Sequence, residues 1–262
     1  MTKITTDDGI ALNARLDGDP SRPSVLLSNS LGTDLTMWDD QVAPLAEHFQ
    51  VVRYDARGHG NSDAPDGDYT IDRLGRDAVA VLKGFGIEKA AFCGLSMGGM
   101  IGMWLGVHAP GRVTRLALCN TAAMMPPKDA WQQRIDAVLA DGMESVVDAV
   151  VARWFTEAFI RDQRAAVDRV RAMLLTTAPV GYAGCCAAIR DMDQRSAICG
   201  IARPTLVVSG ADDPATPPAR GEEIAAAIKG AELEILPDCA HLSNIEQTAR
   251  FNARVIPFLA AT

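Results

Sequence analysis

Ala90-Ala91-Phe92-Cys93-Gly94-Leu95-Ser96-Met97-Gly98-Gly99-Met100-Ile101-Gly102-Met103-Trp104-Leu105 is the stretch that decides the fold of this chain. An apolar run leads into Gly94-Leu95-Ser96-Met97-Gly98, and a second, glycine-spaced apolar run follows. Strand, tight turn and helix, in that order, is the context in which G-x-S-x-G holds a serine on a sharp strand-to-helix turn. Small residues on either side let strand and helix approach without a Cβ clash, and the strained turn lifts the hydroxyl clear of the backbone. The serine then sits at a helix N-terminus, whose dipole favours developing negative charge. Ser96 is therefore the candidate nucleophile. The bland alternative is a Gly/Ser turn that only joins strand to helix; the apolar runs on both sides argue against it.

Outward from the turn, short apolar runs recur at residues 25–28, 51–54, 113–118, 205–208 and 233–236, with helical patterns between them. Doubly buried strands alternating with helices predict an α/β fold, a mostly parallel sheet with helices on both faces. Residues 4–16, around Asp8-Gly9, read as an antiparallel hairpin at the sheet edge. Between residues 122 and 199 the rhythm changes. Trp131, Ile135 and Val138, then Val146, Val147, Val150, Val151 and Trp154, recur at helical spacing with no strong strand candidate. The expected organisation is a core of residues 1–121 and 200–262 with a helical cap, 122–199, inserted.

Composition narrows the function. The chain has 262 residues, 48% of them hydrophobic, which suits one globular domain with an insertion. A net charge of −8 with scattered basic residues predicts no nucleic-acid surface. The first residues, Met1-Thr2-Lys3-Ile4-Thr5-Thr6-Asp7-Asp8, hold no apolar signal core, and no run approaches the ~18 apolar residues of a membrane span. Six cysteines, at 93, 119, 185, 186, 199 and 239, show no C-x-x-C pairing and read as buried free thiols. The expectation is a cytoplasmic, reduced protein that needs no metal and no organic cofactor.

A serine hydroxyl needs a base, and the base needs an orienting acid. On this type of sheet the chain order is serine, then acid, then histidine. Of His48, His59, His108 and His241, only His241 follows a plausible acid loop, just after the last strand. His108 falls in the helix after Ser96, and His59 lies in Arg57-Gly58-His59-Gly60, a loop that precedes the serine and is read as structural. After the strand at 205–208, Gly210-Ala211-Asp212-Asp213-Pro214 offers two acids. Asn120, after the strand at 113–118, cannot carry a full negative charge. An oxyanion hole needs two backbone N–H groups. Met97, following the nucleophile, supplies one, and Leu31 in Asn29-Ser30-Leu31-Gly32-Thr33 is the candidate for the other.

With these residues assembled, the chain resembles the α/β-hydrolase superfamily over essentially its whole length, and within it the 3-oxoadipate enol-lactonases of the β-ketoadipate pathway. Ser28-Asn29-Ser30-Leu31-Gly32-Thr33-Asp34-Leu35, Arg53-Tyr54-Asp55-Ala56-Arg57-Gly58-His59-Gly60-Asn61-Ser62, the Ser96 turn, Cys119-Asn120-Thr121-Ala122 and His241-Leu242-Ser243-Asn244-Ile245-Glu246 carry the resemblance. Family spacing puts the acid three residues after the glycine, at Asp213. The resemblance implies a small anionic substrate, an enol-lactone with a carboxymethyl group. It also implies a cap-helix pattern, Trp131-Gln132-Gln133-Arg134, in which Trp131 walls the ring and Arg134 pairs with the carboxylate. Arg153, Arg190 and Arg195 are other cations available in the cap. Carboxylesterases and cofactor-free haloperoxidases share the same pattern, and a ligand receptor on a hydrolase scaffold is the reading from a different class.

Overall fold

The computed structural model describes residues 1–261. Eight strands form one sheet: β1 (Thr2–Thr5), β2 (Ala11–Asp17), β3 (Ser24–Ser28), β4 (Gln50–Tyr54), β5 (Ala90–Leu95), β6 (Val113–Cys119), β7 (Thr205–Gly210) and β8 (Glu232–Leu236). Their order is β1-β2-β4-β3-β5-β6-β7-β8. β1 and β2 form the expected antiparallel hairpin, with Thr5 opposite Ala11, and β2 runs antiparallel to β4. From β4 to β8 every pairing is parallel. The hairpin fits the edge because it needs only one covered face, whereas β5 and β7 are buried along their whole length.

The helices that cover the core are α1 (Asp39–Ala46), α2 (Ile71–Gly84), α3 (Met97–His108), α9 (Pro218–Ala227) and α11 (Thr248–Ala260). α2 packs against α3, and α1 against α11. α3 is buried from Met97 to Gly106, which explains why its sequence is apolar all round. Gly75 of α2 is required where Trp104 of α3 crosses it, since a Cβ there would lie 2.1 Å from the indole.

Between β6 and β7 the chain forms five helices: α4 (Lys128–Asp141), α5 (Glu144–Trp154), α6 (Glu157–Asp162), α7 (Arg164–Thr176) and α8 (Pro179–Asp191). At the neck of this insertion Met124 bridges Asp193, and the Gln194 N–H donates to the Ala123 carbonyl at 2.9 Å. α8 meets the core with no room to spare: a Cβ on Gly181 would lie 2.3 Å from Gly58 Cα. A short helix, α10 (Ser243–Glu246), sits between β8 and α11. Among the described residues no single helix is long and apolar enough to span a membrane. All six cysteines are free; five are buried, and Cys199 is exposed, unlike the expectation for the set.

Candidate active site

The loops after β3, β5, β7 and β8 all leave the carboxyl ends of parallel strands, the usual location of sites on open α/β sheets. Ser96 lies between β5 and α3 with φ 56° and ψ −114°, a backbone conformation that side chains rarely adopt. Its N–H donates to the Cys119 carbonyl at 2.9 Å, and its carbonyl accepts from Met100 N–H at 3.1 Å and from Thr121 Oγ1 at 2.7 Å. The glycines of the motif have steric causes. A Cβ on Gly94 would stand 2.2 Å from the Gly98 carbonyl oxygen, and one on Gly98 would stand 2.0 Å from that of Ser28.

The loop after β7 brings Asp213 to the loop after β8. Asp213 Oδ2 accepts from His241 Nδ1 at 2.8 Å, from Thr216 Oγ1 at 2.7 Å and from Asn120 Nδ2 at 3.0 Å. Its Oδ1 accepts from the N–H groups of Ala215 at 2.8 Å and Thr216 at 3.0 Å. Burial works against a charge on this carboxyl. His241, the Thr216 amide and Asn120 outweigh it and hold the pKa below the ordinary carboxylate value. Asp212, the neighbouring acid, is exposed and its carboxylate takes no part in these hydrogen bonds. With the Nδ1 proton given to Asp213, the His241 Nε2 carries the lone pair. Asn120, also at positive φ (44°), accepts from Ser243 Oγ at 2.5 Å, so the end of β6 braces the acid through a neutral amide.

The base loop is also held by the insertion. The N–H groups of His241 and Leu242 both donate to the Trp154 carbonyl at 3.1 Å, and the Trp154 ring stacks on the imidazole at 6.2 Å between centroids. Glu246 joins the same two parts: Oε1 accepts from Thr156 N–H at 2.9 Å, and Oε2 from Ala240 N–H at 2.7 Å.

After β3, the loop carrying Leu31 is fixed on three sides. Asn29 accepts from Trp38 Nε1 at 2.9 Å and donates to the Tyr54 carbonyl at 2.9 Å. Ser30 N–H donates to Met37 Sδ at 3.3 Å. Gly32 N–H donates to His59 Nε2 at 2.7 Å, and His59 Nδ1 pairs with the Arg57 carbonyl at 3.1 Å. These partners fix His59 as a neutral imidazole with its proton on Nδ1, and burial lowers its pKa to about 4. Leu31 and Met97 are both buried, and neither N–H donates to a protein acceptor among the described residues. The other two histidines lie outside the site: His48 follows α1, and His108, at the end of α3, lies tilted against Trp104 with ring centroids 5.1 Å apart.

A narrow cavity of about 40 Å³ gathers the remaining parts. Ser30, Leu31, Ser96 and His241 lie in its lining together with Trp131 and Arg134 from the insertion. The i, i+3 spacing does place Trp131 and Arg134 together, with the guanidinium 4.8 Å from the indole centroid. Arg190 is taken up by Asp68 at 2.8 Å and Asp191 at 2.6 Å, and Arg195 by Asp193 at 2.7 Å. Sequence reasoning missed two polar groups of this cavity, Ser30 Oγ and Tyr182 Oη, both buried and without a well-formed hydrogen bond among the described residues, Arg134 being the charged group beside Tyr182. Nothing in their sequence neighbourhoods marks them, because being unpaired is a property of the folded chain.

This arrangement is that of a serine hydrolase, and the chain belongs to the alpha/beta hydrolase family, whose model matches residues 12–254. It is 40% identical over 252 residues to 3-oxoadipate enol-lactonase 2 of Acinetobacter baylyi, covering 96% of this chain and 94% of that protein. The crystal structure of the enol-lactonase from Burkholderia xenovorans is 42% identical with a TM-score of 0.97, covering 99% of this chain and all of that one (100%). A hydrolase from Pseudomonas aeruginosa is 46% identical with a TM-score of 0.96, covering 99% of this chain and 98% of that one.

Proposed function

We propose that this protein opens the lactone ring of 3-oxoadipate enol-lactone by serine catalysis, with Ser96 as nucleophile, His241 as base and Asp213 as the orienting acid. The observation that carries the reading is one cavity lined by Ser96 and His241 together with Trp131 and Arg134. Hydrolytic groups beside a cation on an aromatic wall match an ester bond and a free carboxylate in one small molecule. The enol-lactonase relatives support the same substrate class.

His241 Nε2 takes the Ser96 proton as Oγ attacks the lactone carbonyl. The developing oxyanion receives the N–H groups of Leu31 and Met97. Collapse breaks the ring C–O bond, and the enol oxygen leaves with the proton from His241. Acyl group and leaving group remain one molecule, so the acyl-enzyme holds the whole substrate. Water, giving its proton to His241, then releases the acid, and the enol ketonises to 3-oxoadipate. Residues 122–199 act as a cap that supplies the wall and the cation.

The test is hydrolysis of 3-oxoadipate enol-lactone beside p-nitrophenyl acetate, with wild type, Ser96→Ala and Arg134→Ala. The reading predicts a strong lactone preference that Arg134→Ala erodes, and no turnover of either ester by Ser96→Ala. Efficient cleavage of the neutral ester with no lactone preference, indifferent to Arg134, would assign a general carboxylesterase instead. Saturable lactone binding without turnover would assign a receptor.

A further inference from the structure

Ser30 stands one residue before Leu31 on the loop after β3, and its hydroxyl is the odd group of that loop. The other polar groups of the residue are committed. Its N–H donates to Met37 Sδ at 3.3 Å. Its carbonyl accepts from Thr33 N–H at 3.2 Å and from Thr33 Oγ1 at 2.8 Å. Only Oγ has no partner among the described residues, although the residue is 1% exposed. Partners are not scarce in this loop. The Asn29 amide makes two hydrogen bonds, and Thr33 Oγ1 reaches both the Ser30 carbonyl and Met37 Sδ. A buried hydroxyl without a bond loses what water gave it in the unfolded chain, so the fold is weakened by holding one. An alanine there would fill the same place without that loss.

The position of this hydroxyl says what it is kept for. Ser30 lines the same narrow cavity as Leu31, Ser96 and His241. With its N–H and carbonyl engaged elsewhere, the hydroxyl is the polar group that Ser30 has left for that space. The loop is pressed against the turn that carries the nucleophile. A Cβ on Gly98 would stand 2.0 Å from the Ser28 carbonyl oxygen and 3.1 Å from that of Asn29. Ser30 and Leu31 therefore emerge beside Met97 and the first turn of α3, where negative charge is favoured. An O–H donor that no protein acceptor uses is free for an oxygen that arrives with the substrate. Its bond strengthens as that oxygen gains charge.

We propose that the Ser30 hydroxyl is a third donor of the oxyanion hole, beside the N–H groups of Leu31 and Met97, a role that rests on the serine-hydrolase reading above. As Ser96 Oγ bonds to the carbonyl carbon, the π pair moves onto the carbonyl oxygen and the Ser96 proton passes to His241 Nε2. Ser30 keeps its own proton and directs it at that oxygen. A planar carbonyl oxygen has two lone pairs, and a tetrahedral oxyanion has three, one for each donor. The third bond is completed only on the way to the tetrahedral state, so it lowers the barrier without tightening the ground-state complex. The locked backbone of Ser30 keeps the donor close at hand before the substrate arrives.

The test compares wild type, Ser30→Ala and Ser30→Thr on p-nitrophenyl acetate and on 3-oxoadipate enol-lactone, with thermal melting alongside. Ser30→Ala should lower kcat and kcat/KM together, by about ten- to a hundredfold on both esters, as for an interaction made only in the transition state. Its melting temperature should equal or exceed that of wild type, because the change removes an unmatched buried hydroxyl. Ser30→Thr keeps a hydroxyl and should recover most of the rate. The ketone 1,1,1-trifluorohexan-2-one, which Ser96 attacks to give a hemiketal oxyanion, should bind Ser30→Ala more weakly by about the same factor as the loss in rate. Hexan-2-ol, which forms no adduct, should bind both proteins alike. Unchanged kinetics on both esters, a melting temperature that falls together with the rate, or equal weakening of ketone and alcohol would overturn the proposal. A loss confined to the lactone would overturn it too, because the hydroxyl would then serve another oxygen of that substrate. If p-nitrophenyl acetate and the ketone show the loss while the lactone is not turned over, the third donor stands and the lactonase reading falls. If wild type and Ser30→Ala turn over the lactone at equal rates, the reverse holds. A wild type inert toward both esters would overturn the two together.

Discussion

Acidification should loosen this protein through His59 before it affects Asp213. His59 Nε2 accepts the Gly32 N–H at 2.7 Å, and burial holds its pKa at about 4 against an ordinary 6.5. The sign follows directly. Between those two values the unfolded chain binds a proton that the folded chain refuses, so stability is full above pH ~6.5 and falls as pH drops toward ~4. Linkage gives a loss of about 1.4 kcal/mol by pH 5.5 and about 2.5 kcal/mol by pH 4.5, approaching about 3 kcal/mol. Protonation turns Nε2 into a donor facing the Gly32 N–H, so the hydrogen bond becomes a repulsion on the loop that carries Leu31. The assay is urea denaturation at pH 7.5, 5.5 and 4.5 for wild type and His59→Gln, whose amide oxygen accepts the same N–H and does not titrate. The wild-type stability should fall by the stated amounts relative to the variant. Asp55 and Asp77, whose pKa values burial raises, act alike in both proteins and cancel in the difference. Parallel stability curves for wild type and His59→Gln across that range would refute the reasoning.

Three further outcomes are expected. Gly98→Ala forces a Cβ to 2.0 Å from the Ser28 carbonyl oxygen, and should cost at least ~2 kcal/mol in denaturation along with most of the activity. Asn120→Asp sets a second carboxylate where Nδ2 now donates to Asp213 at 3.0 Å; the acidic limb of the kcat profile should move to higher pH, the mark of one carboxyl held protonated by the other. Glu246→Ala removes the acceptor shared by Thr156 and Ala240, and should cost about 2–4 kcal/mol and lower kcat more than it raises KM, as measured by denaturation and initial rates.

What could be read from the chain itself follows a physical divide. The turn at Ser96 is legible because its constraints are local: two glycines forced by backbone carbonyls, a strand before and a helix after. His241 is legible because it is the one histidine that follows the last strand, whereas the strand at β7 leaves two acids and only the family resemblance picks Asp213 over Asp212. The sheet core follows from periodicity for the same reason. The choice among the cap arginines is not legible. Arg190 finds Asp68 across 122 positions of sequence, while Arg134 lies over the Trp131 indole, and no local pattern separates the two fates. Tyr182 and Ser30 look like ordinary helix and loop residues until their hydroxyls are seen buried and unmatched. The brace at Asn120 is half legible: its lack of charge removes it as the acid, while its bond to Asp213 exists only in three dimensions.

The Trp154 carbonyl, which receives the amides of both His241 and Leu242, has a bearing on how this scaffold can diversify. Residues 122–199 look like an interchangeable attachment, entering and leaving at one narrow neck. Yet the peptide that ends α5 is a bearing on which the imidazole is mounted. A chimera made by transplanting a foreign segment there would exchange Trp131 and Arg134 and displace the His241 imidazole in the same stroke. Variation that keeps the backbone of residues 154–156 and alters only side chains of α4 and α8 leaves the mounting untouched. New specificities should therefore be reached through those two helices, one side chain at a time, more readily than by wholesale replacement.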